Sequence, residues 1–162
     1  MDEHGTVREG AIVGALGAIS VAVWFLIVDT IAGQPLQTPA ALGEAVTSVL
    51  WPEQEPGFLL NVALYTVFHF VAFGVIGLVV VAIVHGSRRQ PAILAGLLIL
   101  FVAFEVGFYG FTYVLSLWTP LETLAWYQVG AANLLAAVVM GRYLWMRHPE
   151  MPRQLDEVLS GR

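Results

Sequence analysis

The chain contains no cysteine. Disulfides, thiolate metal ligands and thiol nucleophiles are therefore excluded. It contains no lysine either, so all seven basic residues are arginines. Charge of both signs is scarce, at 12% of residues, about half the ~25% of an average soluble domain. A net charge of −5 gives no reason to expect a nucleic-acid partner. There is no phosphate-cradling glycine loop, nucleophile elbow or zincin helix. The glycines of "GVIGLVV" at 74–80 lie inside an apolar run. These absences lean away from an enzyme, and no cofactor is required by the residues.

Apolar side chains fill the space that charge leaves. The chain is 58% hydrophobic over 162 residues, with a mean hydropathy of +0.77. A membrane-spanning helix needs ~20 mostly apolar residues. Four segments meet that length, at about 10–32, 58–84, 92–117 and 121–146. Proline and glycine separate them in "GQPLQTP", "WPEQEPG" and "HGSRRQP", and "LWTPLE" makes a tight turn between the third and fourth. The N-terminus "MDEHGTVREG" carries acids, and the apolar run after it has span length without a clean cleavage site. It reads as a retained helix rather than a secretory signal. The expected fold is thus all-α, a single membrane domain over 1–162 built as a bundle of four transmembrane helices.

Arginine orients the bundle. Arg8 precedes the first span, Arg88 and Arg89 lie between the second and third, and Arg142, Arg147, Arg153 and Arg162 end or follow the fourth. The other two loops carry Glu44, Glu53, Glu55 and Glu122 but no arginine. The positive-inside rule then places both termini, and the tail 147–162, in the cytoplasm. Trp51, Trp118 and Trp126 fall at the outer interface and Trp145 at the inner one. Trp24 does not fit that belt and is expected to pack within the bundle.

The first outer loop is longer than a turn requires. Its stretch "TPAALGEAVTSVLW" predicts a short interfacial helix over about 39–51. Thr38 would cap it and Pro39 would take its first position. Leu42, Val46, Val49 and Leu50 recur at helical spacing, against a polar face of Glu44, Thr47 and Ser48. Such a helix either lies on the membrane surface or acts as a lid over the bundle mouth. Gly10, Gly14, Ala18 and Ala22, each four apart, predict a close-packing face on the first span. Ala132, Ala136 and Met140, or Ala137 and Gly141, offer the same on the fourth.

The polar residues inside the spans carry the functional question. At ~1.5 Å per residue, His69, Glu105 and Asn133 come to similar depth near the bilayer centre. Asn61, Tyr65 and His69 line one helix face, as do Glu105, Tyr109 and Tyr113, with Thr112 beside them. Asp29 ends the first span and Gln128 lies in the outer half of the fourth. The bundle therefore reads as polar from its outer mouth to its midplane and greasy below. A charged carboxylate at a helix centre costs ~2.5–3.5 kcal/mol on insertion scales, so Glu105 needs a partner or a proton. His69 is the expected partner.

Two roles fit that pair. A His69–Glu105 clasp would fix helix register. Alternatively it forms the floor of an outward-opening polar pocket that binds a proton, ion or small polar ligand, assisted by Tyr65, Tyr109, Asn133 and Asp29. A metal, if present, would use His69 and Glu105, although neither His-x-x-x-His nor Glu-x-x-His occurs. A haem would want a further axial ligand. His4, His85 and His148 lie in the flanks and read as solvated. Arg142 reads as snorkelling to the inner interface. The partners expected are the lipid bilayer and either further copies of the chain or other membrane subunits. As an accessory subunit of a larger complex, the chain would use its polar residues as helix glue.

The stretch "WFLIVDTIAGQPLQTPAALGEAV", residues 24–46, resembles one found in small uncharacterised bacterial four-span membrane proteins. The pattern is Trp-Phe-Leu, an Asp, Gly-x-Pro-Leu-x-Thr-Pro and then Leu-Gly. The resemblance implies a bacterial inner-membrane location and assigns no activity or site residue.

Overall fold

The computed structural model describes residues 3–51, 53, 56–87, 101–103, 105–107, 109–110, 113–114 and 126–149. Among them every regular element is helical and there is no strand. The elements are α1 (Glu3–Ile31), α2 (Gln37–Leu50), α3 (Phe58–Ser87) and α4 (Trp126–Arg147). Residues 101–103, 105–107, 109–110 and 113–114 are also helical. Three helices, α1, α3 and α4, are long and apolar enough to cross a membrane. Much of the expected third span lies outside the described residues, as do Arg88, Arg89, Thr112, Trp118, Glu122 and the tail from 150.

The small-residue stripe of α1 makes the central seam. A Cβ at Gly10 would lie 2.8 Å from the Leu78 backbone, and one at Gly14 would meet the Phe73 carbonyl. Gly77 answers from α3, where a Cβ would run into the backbone of Gly10 and Gly14. Glycine on both sides lets the two backbones touch, the arrangement small residues permit in membrane helices. The expected stripe continues through buried Ala18, whereas Ala22 is exposed. On its neighbouring face α1 packs on α4. Gly17 abuts the Met140 sulfur, and Val21, Phe25, Val129, Ala132 and Ala136 fill the core. Of the two stripes expected in the fourth span, Ala132, Ala136 and Met140 are buried, while Ala137 and Gly141 are exposed.

The outward faces are apolar. Ile19, Val23 and Ile27 of α1, Val67, Val71 and Val75 of α3, and Leu134 and Val138 of α4 are all exposed. A patch of that extent in water would drive association. Against lipid tails it is the ordinary exterior of a membrane bundle.

Local chemistry explains the turn into α2. Gly33 has φ 77°, its N–H donates to the Thr30 carbonyl, and that of Gln34 donates to the Asp29 carbonyl. This is the paired bonding that closes a helix over a left-handed glycine. Leu36 is also left-handed, at φ 66°, and precedes the first residue of α2 without providing a side-chain cap.

α2 departs from expectation in two respects. Thr38 is not its cap, because the helix already starts at Gln37. Instead Asp29 of α1 satisfies Thr38 from below, with Oδ2 accepting from its N–H at 2.8 Å and Oδ1 from its hydroxyl at 2.7 Å. A carboxylate held against the first turn also complements the helix dipole. Thr47 does not belong to a solvent-facing polar face. It is buried, and its hydroxyl is shared among the Gly43 and Glu44 carbonyls and the Asn61 side-chain oxygen, at 3.0–3.1 Å. Gly43 allows this by bringing α2 into backbone contact with Asn61 of α3. Of the apolar series expected along α2, Leu42 is buried while Val49 and Leu50 are exposed.

Candidate functional site

Two side-chain contacts set how α1 and α4 lie against each other. Glu9 meets His148 and Gly17 meets Met140. These pairs belong to one antiparallel register, which carried a further two turns places Trp24 opposite Asn133. The helical residues around 105 are tied to the same level by Tyr109. A Cβ on Gly130 would sit 3.5 Å from its hydroxyl. Tyr109 also interacts with Glu105, one turn back along the same helix. Asn133 is one turn from Gly130 along α4. Trp24 and Asn133 thus come to one level on α1 and α4, and Tyr109, which contacts Glu105, reaches α4 one turn away.

The polar atoms at this level are incompletely bonded. Trp24 Nε1, Glu105 Oε1 and Asn133 Nδ2 are each buried with no hydrogen-bond partner among the described residues. Nearly all buried polar groups in folded proteins are paired, and each unpaired one costs ~1–3 kcal/mol. Two of the three are N–H donors and the third is a carboxyl oxygen, an acceptor. Two donors and an acceptor are complementary in their chemistry. Trp24 is the member that composition and spacing missed as a polar group. Its absence from the interfacial aromatic belt was the only signal.

His69 is engaged elsewhere. Its Nε2 is 3.1 Å from the Ala18 carbonyl of α1, so this nitrogen carries the proton and donates. Its ring lies against Phe73 at 4.7 Å and Tyr65 at 5.7 Å between centroids. His69 and Glu105 share no hydrogen bond among the described residues, and the histidine clasps α1 to α3 beside the glycine seam.

Tyr65 and His69 also line a groove of about 230 Å³ between α1, α3 and the start of α2. Its remaining walls are mostly aliphatic and aromatic, with Thr38 and Thr66 also among them. Asp29 is buried and spent on Thr38, so it serves α2 rather than the groove. Asn61 is likewise spent, accepting from Thr47 and donating to the Pro56 carbonyl at 3.2 Å.

A second polar cluster closes the opposite end of the bundle. Glu9 of α1 bridges His85 in the last turns of α3 and His148 just beyond α4. Its Oε2 is 3.1 Å from His85 Nε2, and its Oε1 is 2.8 Å from His148 Nε2. His148 is buried and His85 is half-buried, so these histidines are not the solvated flank residues expected from the sequence. Isolated by 76 and 139 residues from Glu9, they form no local motif.

Comparison with known proteins leaves the site to be argued from its geometry, since no protein family, curated protein or solved structure matches the chain.

Proposed function

We propose that this chain is a four-span integral membrane protein that holds a proton or a small uncharged polar guest at Glu105. The observation that carries the reading is that three buried polar atoms, from Trp24, Glu105 and Asn133, have no hydrogen-bond partner among the described residues. Tyr109 contacts the acid from the next turn and Tyr65 stands at the same height on α3. In hydrocarbon an ionised carboxylate is strongly disfavoured. A protonated Glu105 with a water or hydroxyl-bearing guest between the indole and amide N–H groups leaves none of the three orphaned.

The connectivity supports the fourth span. The C-terminal ends of α3 and α4 meet at Glu9, so these two helices run parallel. Parallel neighbours require the chain between them to return along the length of the bundle. The helical residues within 101–114 lie on that return path. Arg8, Arg142 and Arg147 lie near the Glu9 end and are exposed, which supports placing both termini in the cytoplasm. With the resemblance of 24–46, the location is the bacterial inner membrane. α2 then lies at the outer surface, latched to α1 by Asp29 and to α3 by Asn61.

Difference infrared spectroscopy of the protein in lipid tests the site, because a buried protonated carboxyl has its own carbonyl band. The band should shift in heavy water and vanish in Glu105→Gln, with the fold retained. A spectrum unchanged by that substitution would remove Glu105 from the proposal.

One observation favours a second reading for part of the polar track. The bond from His69 to Ala18 is helix glue, as expected of an accessory subunit. That reading predicts that His69→Phe loosens an assembly with partner membrane proteins without altering the Glu105 band.

A further inference from the structure

We propose that Glu9, His85 and His148 form a binding site for a divalent transition-metal ion, at the end of the bundle remote from α2. The site is independent of the one at Glu105, and neither proposal needs the other.

The ligand atoms of all three residues lie within 4.8 Å of one another. Around a bound ion at ~2.0–2.2 Å, nitrogen and oxygen ligands stand roughly 3–3.5 Å apart. The two histidine–carboxylate distances, 3.1 and 2.8 Å, already approach that range. The imidazoles converge from different directions, with ring centroids 5.3 Å apart and planes inclined at 70°. Both present Nε2, so an ion could be held without rotating either ring out of place.

The shell behind the ligands suits a metal. The Thr6 hydroxyl is 3.0 Å from His85 Nδ1. Histidine ligands commonly fix their orientation through the nitrogen that does not bind the ion. Without a metal, the His85 Nε2 proton donates to Glu9 and Nδ1 accepts from the threonine hydroxyl. With a metal on Nε2, Nδ1 carries the proton and donates to the same hydroxyl oxygen. One set of side-chain positions therefore serves both states, an imidazole proton moving to the far nitrogen as the ion takes its place.

The donor set selects the kind of ion. Two imidazoles and a carboxylate suit zinc, iron(II), cobalt(II) and their neighbours, whereas magnesium and calcium prefer oxygen-rich sites. Three protein ligands leave a position open, as in metal sites that bind water or an exchangeable ligand. Beside Glu9 and His148 is a cavity of about 330 Å³, also bordered by Arg8, Tyr143 and Arg147. The guanidinium of Arg147 lies over the Tyr143 ring at 5.6 Å. Water or an anion can reach the open position through this cavity.

The simpler alternative is a metal-free clasp in which one carboxylate ties three helix ends together. Cobalt(II) distinguishes the two, because imidazole–carboxylate coordination gives it a visible absorption spectrum. The full-length protein, stripped with chelator in detergent, should bind one cobalt ion per chain, displaced by zinc. Glu9→Gln and His85→Ala should each weaken binding by more than the 10–100-fold typical of outer-shell changes. Thr6→Val should weaken it by about 10–100-fold and Thr6→Ser should restore it, which a purely packing role for Thr6 would not produce. Circular dichroism identifies variants that have lost their fold, and His85→Ala provides the ligand test if Glu9→Gln is one of them. No saturable cobalt spectrum in the wild-type protein, or one unaffected by His85→Ala, would overturn the site.

Discussion

One end of this bundle and its interior treat buried polarity in opposite ways. At the Glu9 end, one carboxylate is bonded by two imidazoles and a threonine hydroxyl supports one of those rings. Around Glu105 and Asn133, three polar atoms are buried without a hydrogen-bond partner among the described residues. Both groups draw on residues from three helical segments. The difference lies in what surrounds them. Glu9 is near a helix terminus, where polar groups and arginines gather. Glu105 is flanked by apolar turns, where every missing partner carries its full desolvation cost. The satisfied cluster keeps one geometry with or without an ion, whereas the unpartnered atoms carry a cost that a hydrogen-bonding guest would relieve.

Between them runs the glycine seam, and the comparison depends on that seam holding the registers. Gly77→Leu should have the largest effect of any single change. A side chain there meets the backbone of Gly10 and Gly14, so the helices must part. The cost should reach or exceed the ~3 kcal/mol upper range of overpacking, read as loss of the folded population on reversible unfolding in mixed micelles. Retention of full stability would show that the two helices can separate without disturbing either cluster.

Asp29→Ala should come next. It removes both hydrogen bonds to Thr38, one from a backbone N–H, and bonds to charged groups contribute ~1.5–3 kcal/mol each. The loss should be local, seen as faster hydrogen exchange across Gln37–Leu50 while α3 stays protected. Uniform loss of protection would mean instead that α2 is integral to the core.

Glu105→Leu sharpens the contrast most directly. Removing an acid with an unpartnered oxygen should leave stability unchanged or raise it by up to ~2.5 kcal/mol. Glu9→Leu, which strands two imidazoles, should lower it. Equal destabilisation by both would erase the distinction between the two clusters.

His69→Phe should have the smallest effect. It gives up the bond to Ala18 but keeps the aromatic packing on Phe73. Interhelical hydrogen bonds in a membrane average ~0.6 kcal/mol, so the unfolding midpoint should shift only slightly. A collapse of the fold would show that the clasp does more than align two helices.

Much of the fold was legible because it follows from short-range pattern. Apolar length marks α1, α3 and α4 as membrane-crossing helices, and proline with glycine marks the breaks between them. The four-residue spacing of small residues marks the face of α1 that touches α3. Glu105 and Asn133 stood out by depth, and the register of α1 on α4 adds Trp24 opposite Asn133. The partner of His69 did not stand out. A histidine on a helix face can reach a backbone carbonyl as readily as a side chain, and sequence records no difference between the two. Thr47 was assigned to the polar face of α2 for a related reason. Thr47 appears polar until Asn61 and the Gly43 and Glu44 carbonyls accept from it, after which it can be buried and Val49 left outside.

The sequence by itself determined the class of molecule, the segments able to cross a bilayer and the level at which polar groups interrupt hydrocarbon. These are properties of one helix at a time, set by period, length and the cost of placing charge in lipid. Only the tertiary structure decided which polar groups meet. Glu9, His85 and His148 belong to three helix ends far apart in the chain. Their convergence depends on the direction of each helix and on the glycine-set distance between α1 and α3. Trp24 comes level with Asn133 only through the antiparallel register of α1 and α4. Pairing across helices is a matter of register and approach, neither of which any single segment contains.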